Sequence, residues 1–180
     1  MTKLLSLLIT ILLISACTSP TKVTAPGFVA SCDQIRLLES ADKSALMRCL
    51  DGSAEINFHQ LKGPLLINVW GSWCEGCKQE MPYFVELYEN PLFKSGQIQM
   101  LGVNVEEKSK EDAIDYIQKS RMSWPNLEDT SGISKSIFGP GVPVTWFIDE
   151  NGKNIETKIG AYTNKKQLFN QVEKAFGVKL

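Results

Sequence analysis

Residues 65–84 read Leu65-Leu66-Ile67-Asn68-Val69-Trp70-Gly71-Ser72-Trp73-Cys74-Glu75-Gly76-Cys77-Lys78-Gln79-Glu80-Met81-Pro82-Tyr83-Phe84. The first six residues, introduced by Gly63-Pro64, form a nearly continuous apolar run, the composition of a central strand buried on both faces. Beyond the cysteines, Met81, Phe84, Val85 and Tyr88 recur at i, i+3, i+4 and i+7, one face of an amphipathic helix that starts near Cys74. The cysteine pair therefore stands where a buried strand hands over to a helix. There, unpaired backbone N–H groups and the positive end of the helix dipole stabilise a thiolate on Cys74, and the short spacer lets Cys77 attack a mixed disulfide formed on it. Cys74 reads as the nucleophile and Cys77 as the resolving thiol. The competing readings are half of a zinc site or a static disulfide; a zinc ribbon wants a second C-x-x-C, and Cys32 and Cys49 are too far apart in sequence to supply one.

Working outward, residues 98–105 (IQMLGVNV) look like a second buried strand, so the order is strand, helix, strand. Ser109-Lys110-Glu111-Asp112 has the form of a capped helix start, with Ala113, Ile114 and Ile117 as its apolar face, which implies a right-handed crossover. Residues 144–149 (VTWFID) and 154–159 (NIETKI) flank Glu150-Asn151-Gly152-Lys153, whose Asn-Gly pair favours a tight primed turn and an antiparallel hairpin. Asn164 and Gln167 form a capping pair ahead of Leu168, Val172, Ala175 and Phe176, and Gly177 closes that last helix. The expected order is βαβαββα behind an N-terminal extension.

Residues 66–84, the segment 141–149 (GVPVTWFID) and this element order resemble the thioredoxin superfamily. Within it they are most similar to the extracytoplasmic TlpA-like and ResA-like thiol-disulfide oxidoreductases, which include the thioredoxin-like proteins of cytochrome c maturation. The resemblance covers about residues 53–176 and implies an α/β thioredoxin-like fold, a central mixed β-sheet flanked by helices. It implies that Pro143 is a cis-proline lying against the active-site disulfide, with the backbone of Val142 free to pair with an extended substrate. Independently, a proline before an extended run suits a first strand residue, because it has no N–H to offer the ladder. Glu80 stands three residues after Cys77, within reach of the resolving thiol, and in the family such an acid is implicated in proton transfer and in tuning the cysteines. A solvated surface glutamate is the competing reading. Trp70 suits the core and Trp73 an exposed apolar contact beside Cys74. Pro82 removes one helical hydrogen bond and kinks the helix. Glu106 and Glu107 fall at the sheet end where family members place further acidic groups, and surface charge accounts for at least one of them.

The chain has 180 residues with 19 Lys plus Arg against 20 Asp plus Glu, one globular domain whose charge balance gives no electrostatic warrant for nucleic-acid binding. A single histidine, His59, rules out a multi-histidine metal site, and no cofactor beyond the Cys74–Cys77 disulfide is expected. Five cysteines cannot all pair within one chain. Residues 1–3 are a short basic start, residues 4–14 an apolar run broken by Ser6 and Thr10, and Ile14-Ser15-Ala16-Cys17 follows, the pattern of a secretory signal. The run is short for a membrane-spanning helix, which needs about 20 apolar residues. The arrangement resembles a bacterial lipobox, which implies cleavage before Cys17 and its acylation; an ordinary signal peptide cut nearby is the alternative. Residues 18–27 (TSPTKVTAPG) have the composition of a tether. The expected division is a signal peptide at 1–16, a tether at 17–30, an extension at 31–52 and a thioredoxin-like domain at 53–180.

In an exported chain Cys32 and Cys49 favour a structural disulfide fastening the extension, with a short helical segment from Arg36-Leu37-Leu38 through Ala45-Leu46-Met47 inside its loop. A second redox pair exchanging with Cys74 and Cys77 is the alternative. Glu75 sets a negative charge beside Cys74, which Lys78 only partly offsets, so the thiolate is less stabilised than in a strong oxidant and the pair is expected to be reducing. A reductant outside the cytoplasm needs electrons from a membrane thiol-relay partner, and a lipid anchor at Cys17 raises its effective concentration near that partner. The expected function is reduction of disulfides in exported proteins by a monomeric chain, with apocytochrome c as one candidate client. The alternatives are an oxidase or isomerase on the same fold, or a copper-binding metallochaperone lipoprotein. A thiol peroxidase is disfavoured, because Gly71 stands where a peroxidatic Thr-x-x-Cys would place its threonine.

Overall fold

The computed structural model describes residues 25–39 and 44–180. Its elements are β1 (Leu46–Cys49), β2 (Glu55–Asn57), a 3-10 turn (Phe58–Gln60), β3 (Leu65–Trp70), α1 (Glu75–Tyr88), α2 (Pro91–Lys94) and β4 (Gln99–Val105), then α3 (Lys110–Ser120), β5 (Asn126–Asp129), α4 (Ser134–Phe138), β6 (Val144–Ile148), β7 (Asn154–Ile159) and α5 (Lys165–Phe176). The seven strands form one mixed sheet in the order β2-β1-β5-β4-β3-β6-β7. β3, β4 and β5 run parallel, and β6 enters antiparallel beside β3. The apolar run read as a central strand is β3, buried at every position.

Alternation along the strands sends side chains into two layers. Leu66, Trp70, Met100 and Phe147 meet Met81, Phe84, Ile117, Leu168 and Val172 under α1, α3 and α5. Leu65, Ile67, Val69, Leu101, Val103 and Leu127 fill the opposite layer. That second layer is closed by the short α4, the 3-10 turn and the N-terminal extension, whose Cys32, Ile35, Met47 and Cys49 are buried in it. Arg36 adds polar ties, its guanidinium donating to the carbonyls of Pro64 and Gln97 and to the Gln99 side chain.

The extension differs from expectation. Leu37 makes an antiparallel bridge to Leu61, and residues 46–49 are strand, not helix. The reason lies in backbone partners: β1 pairs with β2 on one side and β5 on the other, and burial alternates at period two, with Leu46 and Arg48 out and Met47 and Cys49 in. The boundary expected between residues 52 and 53 therefore crosses a strand pair of the main sheet. The β6–β7 turn also departs from the primed form. Only Gly152 takes a positive φ (78°), its N–H donates to the Asp149 carbonyl, and a bulge between Phe147 and Ile148 absorbs the extra residue. The caps of α3 and α5 stand as read: Ser109 accepts from the Asp112 N–H and Asn164 from the Gln167 N–H, while Gly177 closes α5 in the left-handed region. The tether before residue 25, with Cys17, and the signal segment lie outside the described residues. No described helix is long and apolar enough to cross a membrane.

Candidate active site

Cys74 is the N-cap of α1, and its Sγ accepts a hydrogen bond from the Cys77 N–H at 3.1 Å. A sulfur in that position faces the free N–H groups of the first turn, which favours its charge when the pair is reduced. Cys74 and Cys77 are joined, and they differ in access: Cys74 retains 5% exposure and Cys77 none. Attack from outside can thus begin only at Cys74. Trp73 stands 47% exposed next to it, its indole N–H donating to the Val105 carbonyl, while Trp70 is fully buried with its N–H on Asn126 Oδ1.

Three segments from elsewhere in the chain close on this turn. The Val142–Pro143 peptide is cis, and Pro143 is buried with its carbonyl accepting from the Gly160 N–H. Gly76 lets these parts approach: a Cβ there would lie 3.3 Å from Pro143 Cδ, closer than ordinary contact, and 3.4 Å from Ala161 Cβ, so a larger residue would press on Pro143. Val142 is half-buried at the margin of both apolar layers. From the end of β4, Glu107 accepts from the Ser72 N–H and hydroxyl and from the Asn104 side chain, pinning the turn before Trp73. Its neighbour Glu106 is exposed and paired with Lys135.

Glu80 is not a surface residue. It is wholly buried on the inner face of α1, one turn beyond Cys77, where Oε1 accepts from Asn68 Nδ2 at 3.2 Å and Oε2 from the Tyr162 N–H at 2.9 Å. Burial drives its pKa from 4.5 up to about 7, against the pull of those two donors and of the Lys158 charge. A carboxyl half-ionised near neutrality, beside the less accessible of two cysteines, can take a proton from a thiol and return it. Burial also raises Tyr116 and Tyr162, so both phenols stay neutral around it.

The structure thus brings Trp73, Cys74, Cys77, Glu80, Val142 and Pro143 to one end of the sheet. Cys32 and Cys49 are joined to each other in the opposite layer, 1% and 0% exposed. Among the described residues, no group of three or more His, Cys, Asp or Glu is placed to hold a metal ion. Asn68 and Tyr162 were not foreseen as parts of the site. Asn68 had a signal, being the one polar residue inside an otherwise apolar strand.

A family model described as AhpC/TSA family matches residues 40–156. The thiol-disulfide oxidoreductase ResA of Bacillus cereus is 31% identical over 152 residues, which cover 82% of this chain and 83% of that protein. The crystal structure of StoA from Bacillus subtilis aligns at a TM-score of 0.56 and 25% identity over 68% of this chain and 91% of its own. A secreted Mycobacterium tuberculosis disulfide oxidoreductase homologous to E. coli DsbE aligns at 0.61 and 18% identity over 72% and 94%, a likeness of fold. Sequence, fold and the paired cysteines at the head of α1 agree: the chain belongs to the AhpC/TSA family and, within it, to the ResA-like thiol-disulfide oxidoreductases of the thioredoxin superfamily.

Proposed function

We propose that this oxidoreductase works as a reductant outside the cytoplasm, tethered to a membrane through Cys17 and supplied with electrons by a membrane thiol-relay protein. The observation that carries the proposal is the asymmetric pair at the N-cap of α1, with Cys74 reachable, Cys77 sealed and Glu80 buried on the same helix. In the reduced protein the Cys74 thiolate attacks a substrate disulfide, breaking its S–S bond, forming a mixed disulfide and releasing one substrate thiolate. Cys77 passes its proton to Glu80 and attacks the Cys74 sulfur. That expels the second substrate sulfur as a thiolate, which takes up a proton from Glu80 or solvent, and closes the Cys74–Cys77 bond, so two electrons have moved to the substrate. Trp73 and the backbone at Val142, beside Pro143, align the extended substrate.

Export is supported by the apolar run and Ile14-Ser15-Ala16-Cys17. The sealed Cys32–Cys49 bond fits an oxidising compartment and a structural role, since both cysteines are buried and the neighbouring Arg48 side chain faces outward to Glu55. Exported proteins that carry reducible disulfides are the proposed clients, apocytochrome c among them. Reduced protein offered a disulfide-bonded peptide tests the roles directly. Cys77→Ser is expected to accumulate a mixed disulfide on Cys74 and Cys74→Ser to form none. A stable adduct on Cys77, or on Cys32 or Cys49, would overturn the assignment.

A further inference from the structure

Beneath α1, one register row crosses five strands of the sheet and carries mostly polar residues. Asn126 on β5 pairs with Gly102 on β4, Gly102 with Asn68 on β3, Asn68 with Thr145 on β6, and Thr145 with Lys158 on β7. Because paired residues point to the same face, the row ends on a lysine at the edge strand that shares its side of the sheet with Glu80. Lys158 is half-buried, and its ammonium turns back onto the chain that follows it. It donates to the carbonyls of Ile159 at 2.7 Å, Gly160 at 2.8 Å and Ala161 at 3.4 Å, with its charge 5.5 Å from the Tyr162 ring centre.

The turn wrapped around that ammonium carries two contacts of the active site. The Gly160 N–H donates to Pro143, and the Tyr162 N–H donates to Glu80. Gly160 follows the cation with φ 79°, a conformation that suits glycine. Three carbonyls converging on one point would repel one another without a cation between them. We propose that Lys158 is the positioning residue of this site: it seats the 159–161 turn that delivers the Tyr162 N–H to Glu80. Its charge also favours the carboxylate form there.

The groups facing Glu80 from the surrounding elements are Asn68 on β3, Tyr116 on α3, Lys158 on β7, Tyr162 in the following turn and the cysteines of its own helix. Both phenols are held neutral by burial, so Lys158 is the charge to vary. The inference rests on the reading of Glu80 as the proton acceptor for Cys77, and the test separates the two. In the full chain, the Glu80 carboxyl midpoint is followed by carbon-detected NMR, and the rate of peptide disulfide reduction is followed from pH 5 to 9. Lys158→Met is expected to move the midpoint up and to slow the reaction several-fold at pH 6, with rates converging by pH 9. Lys158→Arg should keep both near the parent. If methionine unseats the turn, Lys158→Gln, which can still donate to the carbonyls, should give the same upward displacement. An unmoved midpoint in both neutral variants, or a rate loss of equal size at every pH, would overturn the proposal. A displaced midpoint with Glu80→Gln leaving the rate profile unchanged would uphold Lys158 and overturn the proton-transfer reading.

Discussion

Glu80 is wholly buried, and its position makes stability depend on pH in a definite direction. Its pKa in the fold, about 7, lies above the 4.5 of the exposed group. Between those values the folded chain holds more protons than the unfolded chain, so stability falls as pH rises through that window and levels off above it. The full difference is on the order of 3 kcal/mol. Urea unfolding of the oxidised protein at pH 4.5, 6 and 8 should show the decline, and Glu80→Gln should remove most of it; a stability that climbs over the window would contradict this account. Glu107 acts through hydrogen bonds at the same end of the sheet. Glu107→Ala leaves the half-buried Ser72 N–H and hydroxyl without their acceptor and should cost about 1–3 kcal/mol in the same measurement. At this scale the sequence was legible where spacing sufficed: Glu80 lies one helical turn from Cys77, so its reach followed from the helix. Its partners did not, because Asn68 and Tyr162 meet it only after the strand and the last turn have packed around it.

Among elements, strand β3 and helix α1 were legible because each carries an uninterrupted pattern, continuous burial in one and a 3.6-residue stripe in the other. β5 escaped notice, since Asn126–Asp129 is short and polar and owes its place to pairing with β1 and β4. The extension was misread as helical because Leu37, Leu38, Leu46 and Met47 supply apolar residues without revealing which backbone will pair. Its disulfide spans 17 positions, and in the chain-entropy model a loop of that size stabilises by roughly 3 kcal/mol. Replacing Cys32 and Cys49 together by alanine should therefore lower the unfolding midpoint while leaving peptide disulfide reduction at the parent rate. Loss of reduction without loss of stability would instead make that pair a second redox centre. At the head of α1, Glu75 is exposed, with its carboxylate on the Gln79 side chain. Its charge opposes the Cys74 thiolate, so Glu75→Gln should raise the reduction potential, and an unchanged or lower value would contradict that reading.

The molecule as a whole divides its labour between the two sides of one sheet. Under the helices lie the apolar core and the polar row that leads to Glu80; on the other side the extension, locked by Cys32–Cys49, covers the strands. The mixed sheet and crossover were legible from the order of apolar runs, whereas the sealing of the second layer by the extension was not, because it depends on long-range contacts made by few residues. The central claim is that this scaffold donates electrons. It is tested most directly by the equilibrium potential of the Cys74–Cys77 pair against glutathione and thioredoxin buffers, with alkylation and mass spectrometry resolving each cysteine. A reductant is predicted, with Cys74–Cys77 at or below about −270 mV and Cys32–Cys49 still closed where the first pair opens. A Cys74–Cys77 potential near about −120 mV would contradict it and reverse the direction of electron flow.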